Sequence, residues 1–432
     1  MTGSASDVLV IGGGVIGLSA ALEMQRRGLS VTVVERAPDA QSASTGNAGA
    51  FAFSDIEPLA APGILRRAPK WLIDPLGPLS IPPAYALRIA PWMLRFWRAS
   101  WRDRHAASCR AQAALMAQSR DALTRLVAAT DAEPLLRREG QLQLYDSAAS
   151  FRASLPGWDA RRAEGIAFDL LQDAPERIAE IQPGLDTRFR FAAYVPDWIN
   201  VTDPAMWHAH LRAQFLAIGG QMHRAEVRAL HPLSDHVALD SDAGAMRAGH
   251  VVLAAGAWSH HLARSLGERL PLETERGYNT TLPDPRLDLR THLTFADHGF
   301  VVTRIGDGLR VGGAVELGGL RLPPNYRRAE VLLNKAQRFL PGLNAQGGRQ
   351  WMGFRPSMPD SLPVIGRSAV SARVIHAFGH GHLGLTQSAG TAELVADLVA
   401  GARPAIDLTP FRPDRFRLVR PAPPHTSSRS PS

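Results

Sequence analysis

The sequence predicts an α/β chain in which a parallel-sheet unit is interleaved with an antiparallel, α+β unit. Three observations carry that expectation. Residues 7–36, DVLVIGGGVIGLSAALEMQRRGLSVTVVER, read as strand, glycine turn, helix and strand. Residues 374–399 give strand, glycine turn and helix again near the other end. Between them, residues 272–316 read as antiparallel strands, with Gly306-Asp307-Gly308 as a hairpin turn between Phe300 to Arg304 and Leu309 to Val311.

The N-terminal unit is the most specific of the three. Asp7 to Ile11 is an apolar strand, Val15 to Arg27 a helix, and Val31 to Val34 a second buried strand that ends in Glu35. Gly12, Gly14 and Gly17 hold the G-x-G-x-x-G spacing between strand and helix. Gly12 permits the tight turn, Gly14 lets the backbone approach a pyrophosphate, and Gly17 lets the helix pack close to the sheet. The helix opens at Val15 and Ile16, where free NH groups and a partial positive charge face the phosphates. Glu35, about 20 residues beyond the glycines, is placed for ribose hydroxyls, with Arg36 beside it. A fingerprint flanked by strand, helix, strand and terminal acid predicts a Rossmann-like dinucleotide site.

Along the chain, Ser42 to Phe53 is small and glycine-rich, and Asp55 to Pro83 is too crowded with proline for long helices. Helical character returns over residues 85–129, then a strand at Gln141 to Tyr145 and a helix over 174–182. Residues 189–220 give a strand, a turn and a helix that Asp203 caps, with Pro204 at its first position. Gln221 to Leu230 and Val237 to Leu239 form a meander that leads to the buried strand His250 to Ala255 and a turn at Gly256. Val374 to Phe378 is a strand, Gly379 to Gly384 a turn, and Leu385 to Val399 a helix. Residues 421–432 are polar, proline-rich and expected to be disordered. No internal repeat stands out. The expected plan is discontinuous: residues 1–50, 203–262 and 362–410 build the cofactor domain, and residues 51–202 and 263–361 build the substrate or cap domain.

Bulk properties narrow the class. A chain of 432 residues exceeds the usual single-domain size. Its formal charge of +8 comes almost wholly from arginine, since Lys70 and Lys335 are the only lysines. Those arginines are scattered, so no nucleic-acid partner is expected. Cys109 is the only cysteine, which excludes intramolecular disulfides and cysteine-based metal sites; no metal is expected. Val8 to Leu22 lacks charge but is short, broken by glycines and without a basic lead, so it is neither a signal peptide nor a span. The expected location is the cytoplasm, with peripheral contact at the inner membrane as a further reading.

The C-terminal segment HAFGHGHLGLTQSAGTAELVADLV, residues 376–399, lacks a phosphate fingerprint. Its helix N-terminus, with Gly379, Gly381 and Gly384, can bring bare NH groups against a large planar ligand and stabilise negative charge there. One dinucleotide unit plus one such helix fits FAD better than NAD. VVLAAGAWS at 251–259, which includes Ala255 and Gly256, matches the strand-to-turn that closes such a domain, and Val227 offers its backbone to an adenine.

Together these segments resemble the FAD-dependent D-amino-acid oxidase family, most closely its bacterial D-amino-acid dehydrogenase branch of the small-subunit type. VIGGGVIGLSAA, ASTGNAGAF, AAYVPDWINVTDP, VVLAAGAWS, RGYNTTL, WMGFRPSMPDSLPVIG and GHGHLGLTQSAG occur in the family's order across nearly the whole chain. The resemblance implies that Ser44, Thr45, Gly46, Asn47, Ala48 and Gly49 line the flavin, as do Gly381, His382, Leu383, Gly384, Leu385 and Thr386. It implies that Arg355 in GFRP clamps a substrate carboxylate and that Tyr278 in RGYN shares it. The chemistry agrees, because a planar guanidinium pairs with a carboxylate through two parallel hydrogen bonds. His380 and His382 are read first as flavin contacts, then as substrate contacts and last as acid–base groups, since hydride transfer from Cα needs no obligatory base. Relatives with covalent flavin use a cysteine in the later part of the chain; Cys109 lies early, so FAD is expected to be non-covalent.

Residues 85–104, YALRIAPWMLRFWRASWRDR, are amphipathic. At about 100° per residue Arg88, Arg95, Arg98 and Arg102 fall within about 80° of each other, opposite Met93, Phe96, Trp97 and Trp101. Pro91 starts or kinks the helix. Such a segment either lies over its own substrate domain or rests on an anionic bilayer, the former being favoured. The function expected is dehydrogenation of a D-amino acid, or of a cyclic imino acid such as D-proline or cis-4-hydroxy-D-proline, with hydride passing from Cα to flavin N5. Electrons would go to a quinone of the respiratory chain or to oxygen. Two alternatives stay open: a glycine or sarcosine oxidase-like amine oxidase, and a non-catalytic flavin electron-transfer subunit.

Overall fold

The protein was analysed as a computed structural model, which describes residues 6–63, 77 and 79–416. The tail expected past Pro421 lies outside these residues, as does much of the proline-crowded stretch. The first strand, Ser6–Ile11, is apolar at every inner position, with Val8 and Val10 in one core and Leu9 and Ile11 in another. Side chains alternate across a strand, so the sheet built on it is covered on both faces. Its order is Gln221–Arg224, Val31–Glu35, Ser6–Ile11, Gly244–Leu253, Val237–Ser241 and Val227–Pro232. Val374–Phe378 pairs parallel with the end of Gly244–Leu253, and Val364–Arg367 joins it antiparallel. Helix Val15–Arg26 packs against Gly384–Ala400 and Pro204–Ala217 over one core. The last of these has the expected cap, Asp203 accepting from the Ala205 NH at 2.7 Å with Pro204 at its first position.

A second sheet runs Arg349–Ser357, Glu273–Leu282, Gly308–Glu316, Phe300–Ile305, His292–Phe295, Gln141–Tyr145, Phe191–Val195 and Asp169–Gln172, with Leu79–Ser80 added to Gly308–Glu316. It is antiparallel except where His292–Phe295 meets Gln141–Tyr145 and where Leu79–Ser80 meets its neighbour. One face carries Leu142, Leu144, Leu293, Phe295, Val302, Leu309 and Val311 into a core closed by helix Arg327–Phe339. The other face, two-residue alternates of these, carries Gln141, Gln143, His292, Thr294, Val301, Gly312, Asn279 and Gly277 toward the first sheet.

The region expected to be helical over 85–129 is two helices, Ala86–Ala99 and Arg102–Thr130, broken at Ser100 and Trp101, and Pro91 sits inside the first. Its faces also differ from those expected. Ile89, Trp92 and Phe96 turn inward, while Trp97 and Trp101 share the outer surface with the arginines, 42 % and 47 % exposed. Tertiary packing on Leu317 selects Ile89 and Trp92 as the inner stripe, which a helical wheel of aromatics and arginines cannot rank. Helices Ala148–Ala163 and Arg327–Phe339 and the edge strand Arg349–Ser357 are additions to the expected plan.

Candidate active site

A cavity of about 1170 Å³ runs between the two sheets. Ordinary small-molecule pockets take about 300–1,000 Å³, so this one has room for a dinucleotide and a further small molecule. Its walls include Gly12, Gly14, Val15, Ile16, Glu35, Arg36, Ser44, Gly46, Asn47, Ala48, Val227, Ala255, Gly256, Tyr278, Arg355, Gly381, His382, Leu383, Gly384 and Leu385. Four other expected residues stand behind the wall. A Cβ on Gly17 would overlap the Gly12 carbonyl oxygen, and Gly49 takes a left-handed φ of 72° in the loop. Thr45 Oγ1 accepts from the Ser42 NH at 3.0 Å, and Thr386 Oγ1 accepts from the Ala52 NH at 3.0 Å.

One end of the cavity is the glycine turn. Gly12 has φ 109°, and a Cβ there would overlap the Ala254 carbonyl, so no other residue takes its place. The Val15 NH at the helix start donates to Ser44 Oγ at 2.9 Å, and the Gly13 NH donates to Glu35 Oε2 at 2.7 Å. His208 Nε2 lies 2.7 Å from the Gly13 carbonyl oxygen, fixing the turn from the side. Arg36 lies 4.0 Å over the Trp258 ring at the rim.

The opposite wall is the polar face of the second sheet. Arg355 lies across Gly277, where a Cβ would collide with the guanidinium. Its described hydrogen bond is Nη1 to the Ala314 carbonyl oxygen at 3.1 Å. No carboxylate among the described residues forms an ion pair with it, and the residue borders the cavity. Burial lowers the Arg355 pKa, and Glu275, directly opposite in register, works against that. Trp351 lies over Gly353 and Gly46, both of which lack the Cβ that would meet its ring. Asn279 Nδ2 donates to the Gly46 carbonyl oxygen at 2.8 Å, and Arg310 donates to the Asn47 carbonyl oxygen, so two sheet side chains hold the 44–49 loop by its backbone.

Tyr278 borders the cavity but does not join Arg355 there. Gly277 and Asn279 point to the cavity, so Tyr278 between them points away. Its hydroxyl donates to Glu316 Oε2, accepts from the Asn325 NH at 3.0 Å, and stands in a buried group with Arg276. Burial and then Glu316 push its pKa to about 12. The expectation of a carboxylate shared by Arg355 and Tyr278 is corrected accordingly, because strand alternation sends the two groups to opposite faces.

The third wall is the turn before helix Gly384–Ala400. His382 is open to the cavity interior but enclosed by protein on a larger scale, and burial, then Arg355, pulls its pKa to about 4. His380 is fully buried, with Nε2 3.0 Å from Thr391 Oγ1 and its pKa lowered to about 3 by burial. Both imidazoles are neutral at physiological pH.

A family model described as FAD dependent oxidoreductase matches residues 7–398. The chain belongs to the FAD-dependent oxidoreductase family. It is 35 % identical over 417 residues to a D-amino-acid oxidase of Bradyrhizobium diazoefficiens, covering 95 % of this chain and 98 % of the relative. It is 32 % identical to a D-amino acid dehydrogenase of Rhizobium johnstonii, covering 93 % and 97 %. Among solved structures, glycine oxidase from Geobacillus kaustophilus superposes with a TM-score of 0.75 at 22 % identity, covering 95 % of this chain and 99 % of that one. L-Proline dehydrogenase from P. horikoshii superposes at 0.73 and 19 %, covering 96 % and 98 %. These structures share the fold, a Rossmann-like unit with a substrate-side sheet.

FAD is the cofactor of this oxidoreductase, and the walls fit it. The Gly12 to Gly14 cradle is one that a Cβ would fill, and it leads to a helix start with no acidic side chain in its first turn. Several groups that shape the site were not read from the sequence: His208, Glu275, Asn279, His292, Arg310 and Trp351. His208 reaches the glycine turn from helix Pro204–Ala217, and the other five are marked only by their placement on inward strand positions, which needs the pairing register.

Proposed function

We propose that this oxidoreductase dehydrogenates a D-amino acid, or a cyclic imino acid such as D-proline, held by its carboxylate on Arg355. The observation that carries the reading is a half-buried guanidinium on the cavity wall that no carboxylate among the described residues ion-pairs. A cation in that state recognises an anion of planar shape. FAD, when bound, supplies the two-electron acceptor. Gly12, Gly14, Val15, Ile16, Glu35, Arg36, the 44–49 loop, Val227, Ala255, Gly256 and the 381–386 turn would hold it. Gly277 and Gly353, lacking a Cβ, let the Arg355 guanidinium and the Trp351 ring lie flat on the sheet at the cavity wall. His382 contacts flavin or substrate as a neutral group, which suits it to hydrogen bonding more than to charge pairing.

The names of the curated relatives support the D-amino-acid class. We take FAD to be non-covalent: the sole cysteine, Cys109, is half-buried in helix Arg102–Thr130, away from the cavity wall. We also divide the chain as the sheets suggest, with residues 1–50, 203–262 and 362–410 around FAD and residues 51–202 and 263–361 around substrate. The acceptor that reoxidises the flavin is read as a membrane quinone. Helix Ala86–Ala99 lines the cavity with Trp92, Met93 and Phe96 and turns Leu87, Leu94 and Trp97 outward beside Arg88, Arg95 and Arg98, a face suited to an anionic bilayer. No helix among the described residues is long and apolar enough to cross a membrane.

The test is anaerobic. D-amino acids, L-amino acids, glycine, sarcosine and hydroxyproline isomers are added in turn while the oxidised flavin absorption is followed. Bleaching by D-amino or cyclic imino acids is the expected result. Bleaching by glycine or sarcosine alone would favour the amine-oxidase alternative, and none at all would favour an electron carrier.

A further inference from the structure

The carboxylate clamp leaves one buried acid of the cavity wall without a role. Glu275 stands directly opposite Arg355 in the antiparallel register and is 6 % exposed. It borders the main cavity and also a small void of about 10 Å³ behind the Gly379 to Leu383 turn. Gln112, Ser357 and His380 line the same void. Four atoms there are buried with no hydrogen-bond partner among the described residues: Glu275 Oε2, Ser357 Oγ, His380 Nδ1 and Gln112 Oε1. Buried polar atoms are seldom left unpaired, and a polar void of this size holds about one water.

We propose that Glu275 is the base that takes the proton from the substrate ammonium and holds it as the carboxylic acid, with a water in the void, held by Ser357, His380 and Gln112, hydrogen-bonded to that carboxyl. This rests on the amino-acid reading above. One N–H bond of the ammonium breaks and one O–H bond forms on Glu275; no electrons change hands. The neutral amine then has the lone pair needed to form the iminium when the Cα–H electron pair leaves for FAD.

The groups around Glu275 suit the task. Burial favours the acid and raises the pKa on balance, while Arg355, on the neighbouring strand, and then the nearby Ser357 hydroxyl favour the carboxylate in the free protein. A substrate carboxylate arriving on Arg355 spends that cation, so the affinity of Glu275 for a proton rises as substrate docks. From the turn, His380 and His382 are neutral, their pKa values lowered to about 3 and 4. Ser357 and Gln112 bring no charge. Glu273, two residues along, accepts a hydrogen bond from the Tyr85 hydroxyl at 2.9 Å.

The experiment follows anaerobic flavin reduction by D-alanine and D-proline from pH 6 to 10 in wild type, Glu275→Gln and Glu275→Asp. Glu275→Gln is expected to keep FAD and to reduce it roughly 10²- to 10⁴-fold more slowly at neutral pH. Its rate should climb with the ionisation of the substrate amine, and Glu275→Asp should recover part of the loss. An unchanged rate and pH profile in Glu275→Gln, or a loss equal at every pH, would overturn the assignment while wild-type bleaching leaves the substrate reading intact. If Glu275→Gln does not hold FAD, the Asp variant decides, an unshifted acid limb counting against the base. Wild type that no amino acid bleaches overturns the substrate reading and this inference with it.

Discussion

Arg355 and Tyr278 lie on neighbouring strands, and the parity of the cross-strand register turns the Tyr278 hydroxyl away from Arg355 to Glu316, although both residues border the cavity. Replacing Tyr278 by Phe is therefore expected to leave KM within a few-fold and to cost stability instead. Removing the hydroxyl from Glu316 and the Asn325 NH should lower it by about 1–3 kcal/mol, read by urea unfolding of the holoprotein. Buried histidines give a second residue-level outcome. Burial lowers the pKa of His292 to about 3, as it does for His380. With unfolded values near 6.5, the unfolded chain binds more protons below that pH. Stability is thus full above about 6.5 and falls as pH drops toward 3, by up to about 1.4 kcal/mol per pH unit for each histidine. Urea midpoints at pH 7, 6 and 5 should show that slope, and His292→Asn should flatten it. At this scale Arg355 was legible as a candidate through the GFRP segment and its family resemblance, not through burial, since Arg276 and Arg328 are more deeply buried and bond to backbone carbonyls. Tyr278 was not, since its direction depends on which residue pairs with which.

The glycine motif is the element most completely written in the sequence, because its requirements are local. A Cβ at position 17 meets the Gly12 carbonyl oxygen, a backbone atom that cannot swing aside. Gly17→Ala is expected to cost about 1–3 kcal/mol or more and to weaken FAD retention, seen as flavin lost on gel filtration. Helix Ala148–Ala163 shows the reverse case. It contains Pro156 and Gly157, both poor helix formers, and its capping box uses Ser147 with Ser150 where a Glu or Gln is usual. Packing of Phe151 and Trp158 into the core holds it in place, and packing is not a local signal. Likewise Ala86–Ala99 was recognisable as amphipathic, yet which aromatics face inward was settled by Leu317 and the cavity.

Across the whole molecule, two sheets drawn from alternating stretches of chain meet at one cavity, so both chain ends and the middle contribute walls. The alternation of α/β and antiparallel patterns announced that arrangement; the contacts across the junction, such as Arg310 on the Asn47 carbonyl, did not show in any one segment. The outer face of helix Ala86–Ala99, with Leu87 93 % and Leu94 63 % exposed, borders the cavity on its inner side. The protein is expected to sediment with anionic phosphatidylglycerol vesicles, less so at high salt, and Leu87→Ser with Leu94→Ser should release it. Indifference to anionic lipid would return this helix to the role of a cover over its own sheet.

Stopped-flow reduction of the flavin in wild type and Arg355→Ala, with D- and L-enantiomers of one amino acid over a range of concentrations, tests the central claim most directly. Reduction by the D-enantiomer is expected in wild type. Apparent affinity should fall in the variant by about 2–5 kcal/mol, roughly 30- to several-thousand-fold. A variant that binds and is reduced like wild type would contradict it.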